Sequence, residues 1–199
     1  MNRSIWPVQE NGKLEKELKK ADDITRAERT ERIQFIQKEF GSPTDMLLVG
    51  GTPAMFALRE MQNSFVVGNF MATILLSQVF IEHSLGGSFM MMGDDDTATG
   101  GLAKLIDKSL LDCTITSELA EKLHKLRKMR NPYTHPNPGV TDRSYMGRMA
   151  KKKIFNSEQL AEEDARIALQ TVVDFIRHQS PHWHPNNTEK NKTTEGEGK

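Results

Sequence analysis

One cysteine, Cys113, stands in 199 residues, so the chain can close no disulfide within itself and can build no cysteine-based metal cage. That scarcity suggests a reducing compartment. Long apolar runs are missing as well. The longest such stretch, Phe65 to Leu85, is interrupted by Asn69, Ser77, Gln78, Glu82 and His83, and reads as a buried helix rather than a membrane span. The N-terminal segment MNRSIWPVQENGKLEKE carries no apolar run of signal-peptide length. Charge of one sign is absent too: Lys+Arg and Asp+Glu are both 27, so no global field favours nucleic acid or membrane. No phosphate-cradling glycine loop, dinucleotide fingerprint or nucleophile elbow occurs. These absences leave a cytoplasmic soluble protein with one core, no membrane partner and no cofactor.

What is present is helical spacing without period-2 alternation. The spacing predicts an amphipathic helix, or two joined near Asp22-Asp23, from Leu14 to Phe40, with Leu14, Leu18, Ala21, Ile33, Ile36 and Phe40 apolar. Gly41, Pro43, Gly50, Gly51 and Pro53 punctuate a connection. A short helix over 54–61 follows, then a central one over 65–85 that is apolar on most sides and stops at Gly86-Gly87. Asp96 is placed to cap a helix over 97–111, and Thr116 or Ser117 to cap one that ends near Arg130, where Pro132 stops it. A last helix spans 157–178. The expected architecture is all-α: a four- to five-helix bundle over 12–180, with an N-terminal extension (1–11) and a disordered tail (181–199) free of apolar content at its end.

One position departs from plain helix packing. Leu119, Leu123 and Leu126 share a helix face by steps of four and three, and one more step of four lands on Arg130. A snorkelling arginine at a helix C-terminus accounts for this. So does a functional cation, because His135 follows closely and the loop after Pro132 can fold it back. A guanidinium holds phosphate oxygens, and an imidazole moves a proton near neutrality.

Arg130, Asn131 and His135, with four residues between arginine and histidine at the end of the penultimate core helix, resemble the signature of the HEPN superfamily. The upstream helix FVVGNFMATILLSQVFIEHSL looks like that family's central helix, with Glu82 as its late acidic residue. The likeness spans roughly residues 55–180. It implies a helical bundle that dimerises with its signatures facing, acting as a metal-independent endoribonuclease. A toxin held by an antitoxin, or a defence effector with a partner protein, is the implied setting. Arg130 would contact the scissile phosphate, His135 would act in proton transfer or phosphate positioning, and Asn131 would orient them. In one toxin subgroup a tyrosine follows the histidine closely; here Pro136, Asn137 and Pro138 follow.

From Lys122 to Lys153 ten Lys or Arg face one acid, Asp142, a local excess of ten minus one, or +9. Lys125, Arg127, Lys128, Arg143, Arg148, Lys151, Lys152 and Lys153 surround the signature as candidate RNA contacts; a solvated helix face with a basic loop is the plainer account. Glu82 is read as a support for Arg130 or a structural acid, and Tyr133 as packing over the bundle end or a stacking partner for a base. Asp94-Asp95-Asp96 reads as a cap and a solvated turn, and His182-Trp183-His184 as the start of the tail, so no metal site is assigned. A module that keeps the fold but only binds nucleotide, RNA or a partner protein stands as the alternative to the nuclease, and a helical scaffold behind both.

Overall fold

The computed structural model describes residues 11–41, 49–136, 139–142, 144–181 and 183. Among them eight helices and no strand occur: α1 Asn11–Phe40, α2 Gly51–Val66, α3 Phe70–Met91, α4 Asp95–Ala98, α5 Leu102–Leu111, α6 Ser117–Thr134, α7 Tyr145–Lys152 and α8 Ser157–Gln179. None of the described helices is long and apolar enough to cross a membrane.

The expected all-α class holds. The core is organised around α3, apolar on nearly every side, which packs against α2 and α8 and touches α4, α5 and α6. Ile74, Phe80 and Ile81 of α3 are fully buried among Met61 and Phe65 of α2 and Leu169, Val172 and Phe175 of α8. Burying each such side chain stabilises the fold by roughly 1.5–3 kcal/mol.

Several expected boundaries move, each for a physical reason. Phe65 and Val66 end α2 rather than begin the central helix, because Gly68 takes φ +83° and turns the chain. Gly86-Gly87 does not stop α3. A Cβ on Gly86 would lie 2.9 Å from the Ala98 carbonyl oxygen, and one on Gly87 2.7 Å from the Cα of Gly50. These glycines let two backbones approach a continuing helix. The segment expected as one helix over 97–111 divides at Gly100-Gly101 into α4 and α5, and the cap is Asp94, whose carboxylate accepts from the Thr97 N–H at 3.1 Å. Hydrogen bonding from the Thr97 side chain, and after it from this N–H, holds the Asp94 carboxyl below its usual range.

α1 is one continuous helix through Asp22-Asp23, where Arg29 and Arg26 pair with the two acids. The expected apolar stripe is buried only at its end: residues 12–28 are exposed, Leu14 and Leu18 included, as is Ile33, while Ile36 and Phe40 meet the body beside Arg32 and Phe35. Trp183, expected in the tail, is 1% exposed and belongs to the core. Asn11, expected in the extension, begins α1, and Pro181 is exposed; the rest of the expected extension and tail lies outside the described residues.

Candidate functional site

The C-terminal half of α6 is a ridge between two grooves. Thr116 caps the helix by accepting from the Leu119 N–H at 3.2 Å. Leu119, Leu123, Leu126 and Met129 form its buried stripe, and Tyr133 continues it. The stripe therefore steps three to Met129 and four to Tyr133, leaving Arg130 half-buried on the flank rather than in line. Nor does Pro132 stop the helix. It removes a single N–H from the last turn, and α6 runs on to Thr134, with the His135 N–H bonded to the Asn131 carbonyl at 2.9 Å.

Tyr133 holds that last turn in place. Its hydroxyl donates to Asp164 Oδ2 at 2.8 Å, and its ring packs edge-on to Tyr145 at 5.2 Å between centroids. Asp164 is fully buried and also receives both guanidinium nitrogens of Arg148, at 2.6 and 2.5 Å. α6, α7 and α8 are thus tied at one carboxylate. Burial pushes the Tyr133 hydroxyl well above its usual value, with the adjacent Asp164 charge adding to it. Burial also raises Tyr145. Against the cost of burying it, the hydrogen bonds and charge of Asp164 raise Arg148. Asp164 went unnoticed in the sequence, yet a signal was there. Leu160, Asp164, Ala168, Val172 and Ile176 recur every four residues, so the acid interrupts an apolar stripe.

The network decides what the basic residues are free to do. Arg148 is held by Asp164 rather than open to a phosphate. Lys151 pairs with Asp142 at 3.0 Å, Lys152 with Glu163 at 2.7 Å, and Lys122 with Glu118 and Asp174. Acids of α8 and of the α6 first turn, invisible to a count along 122–153, therefore offset much of the +9. Lys125, Arg127, Lys128, Arg130 and Lys153 make no ion pair among the described residues. Arg143 lies outside the described residues.

On one side of the ridge, Lys125, Arg127 and Lys128 meet Asn131, Arg148 and Lys152 along a groove of about 800 Å³ between α6, α7 and α8. On the other, Arg127, Arg130 and Asn131 face Gln78 and Glu82 of α3 and the first residues of α5 across a groove of about 470 Å³. Arg127 and Asn131 belong to both. Glu82 shares the second groove with Arg130, but no ion pair joins them. His135 is exposed and does not line either groove, so the expected fold-back of His135 onto Arg130 is not made within the chain. A helix that continues past Arg130 carries the fifth residue on about 140° around its axis.

The chain has no significant match to any protein-family model, curated protein or solved structure.

Proposed function

We propose that this chain is an RNA-acting domain of HEPN type, a metal-independent endoribonuclease serving as a toxin or defence effector. The observation that carries the reading is the set of cations along the last two turns of α6 that make no ion pair among the described residues, ending in a half-buried Arg130 with an exposed His135 beyond it. A half-buried guanidinium without a carboxylate has given up hydration for no partner of its own, which an incoming phosphate supplies. Lys125, Arg127 and Lys128 extend the cationic surface to neighbouring phosphates of a strand.

In the reaction, the ribose 2'-oxygen bonds to phosphorus and the bond from phosphorus to the 5'-oxygen breaks. The 2'-proton leaves to a base, and the departing 5'-oxygen gains one. Arg130 offsets charge growing on the non-bridging oxygens, and His135 moves a proton. Because His135 stands outside the Arg130 groove, the reading places the complete site in a homodimer, with the histidine of one copy reaching the phosphate held by the other. An antitoxin or defence partner would restrain it.

Cleavage of mixed RNA in EDTA tests this, with wild type beside Arg130→Ala and His135→Ala. The expected result is 2',3'-cyclic phosphate and 5'-hydroxyl ends from wild type and at least a hundredfold loss in each variant. A second reading, a module that binds RNA or nucleotide without cutting it, is favoured by the separation of His135 from the Arg130 groove. Bound but intact RNA from wild type selects it.

A further inference from the structure

Two residues that line the Arg130 groove each carry a buried polar atom without a partner among the described residues. Arg127 Nε is a donor, Gln78 Oε1 is an acceptor, and neither meets a hydrogen-bond partner among the described residues. Gln78 is only 8% exposed, so water does little for its carbonyl. Across from them the first turn of α5 opens onto the groove at Gly101, Leu102, Ala103 and Lys104. The first N–H groups of a helix have no partner within it, and Gly101 at the cap has no side chain to accept from them. Lys104, its ammonium held on the Asp96 carbonyl at 2.6 Å, adds a cation beside Arg127 and Arg130; Glu82 is the one acid among the described residues of the lining.

We infer that this groove is a phosphate pocket for a ribonucleotide unit, built by the N-terminus of α5 with Arg127, Arg130 and Gln78. The phosphate oxygens take the N–H groups of α5 and the Arg127 Nε–H, satisfying the orphan donors together, in the manner of anions at helix N-termini. The orphan acceptor needs a donor from the same ligand. A ribose 2'-hydroxyl, one bond-chain away from a 3'-phosphate, supplies it to Gln78. The inference rests on Arg130 as a phosphate-holding residue and adds the groups that complete its cradle.

Gly101 gives the pocket a clean test. Its backbone (φ −69°, ψ 160°) suits any residue, and a Cβ there meets no heavy atom within 4 Å. In Gly101→Asp, a carboxylate caps α5 from within and occupies the place of the anion. Backbone amide NMR of the full chain is followed during titration with inorganic phosphate, adenosine 3'-monophosphate and its 2'-deoxy counterpart, none of which can be cleaved. Saturable shifts at Leu102, Ala103 and Lys104 are expected with all three, and the ribonucleotide should bind at least threefold tighter than the deoxy form. Gly101→Asp should melt no lower than wild type and lose at least tenfold in affinity, and Gln78→Met should erase the preference for ribose. Silent α5 amides, or unchanged binding in Gly101→Asp, overturn the pocket. Shifts with phosphate but no ribose preference confine it to a plain anion site and overturn the ribonucleotide assignment. RNA cleavage with a silent pocket leaves the nuclease reading standing and removes this one; saturable binding with RNA left whole does the reverse.

Discussion

Asp164 and Arg130 are opposite solutions to the same problem of a charge placed against a core. Asp164, fully buried, is satisfied by Arg148 and by the Tyr133 hydroxyl. Arg130 pairs with no acid among the described residues. Removing a partner from a buried pair leaves an uncompensated charge, so Arg148→Met should cost about 3–5 kcal/mol in urea unfolding. Tyr133→Phe removes one hydrogen bond to a charged group, a loss of about 1.5–3 kcal/mol. Since the Tyr133 hydroxyl is raised in the folded state, stability is complete below the ordinary tyrosine value of about 10. Above it the unfolded chain gives up its proton while the folded one keeps it, so stability falls as pH rises. Melting temperatures from pH 8 to 11 should show this decline, and Tyr133→Phe should lessen it, leaving the part that the raised Tyr145 supplies; an equal decline in the variant would remove Tyr133 as a source. Arg130 was legible in the sequence by its step from Leu126, though the structure moves it to the flank. Asp164 breaks the α8 stripe by the same rule. Its partner Arg148 was readable only as one more basic residue, because pairing across helices leaves no mark on linear spacing.

At the scale of elements, helix existence was written in the periodicity, and helix limits were not. The caps Thr116, Ser144 and Asn156 all accept from a first-turn N–H, and such signals are local. Gly86-Gly87 is a different matter, since a glycine that ends a helix and one that admits a neighbour look alike in sequence. Ala is the better helix former by about 1 kcal/mol, so an isolated helix would gain from Gly87→Ala. Here the added methyl meets the Gly50 backbone at 2.7 Å, and overpacking of about 1–3 kcal/mol should outweigh the gain. A lower melting temperature for Gly87→Ala is the expected outcome; a higher one would mean that the turn at Gly50 yields. The apolar residues of α1 misled for another reason. Helix propensity and pairs such as Arg26 with Asp23 sustain a helix whose Leu14 and Leu18 touch no core.

For the molecule as a whole, the body takes in Ser180 and Trp183 beyond α8. The Trp183 indole is fully buried, and the Trp183 backbone N–H bonds the Ser180 carbonyl at 2.9 Å. Trp183→Ala should lower stability by about 3–5 kcal/mol, and so should a chain ending at residue 180. Composition placed this tryptophan in the tail because its neighbours are polar, and burial of one isolated aromatic is a tertiary event. The charge pattern was legible to the same limited degree. Clustered cations along 122–153 were plain, whereas the acids that take Lys122, Arg148 and Lys152 come from outside that stretch and leave the C-terminal half of α6 as the cationic surface without ion pairs among the described residues.

That surface carries the central claim, and RNA binding as a function of salt tests it most directly. Wild type should show an affinity that falls steeply with salt. Lys125→Ala and Lys128→Ala should each reduce the slope by about one, and Arg130→Ala should do so while folding as well as wild type. Lys151→Ala, already paired with Asp142, should leave the slope where it was. Equal losses from Lys151 and Arg130, or RNA binding indifferent to every α6 cation, would contradict the account.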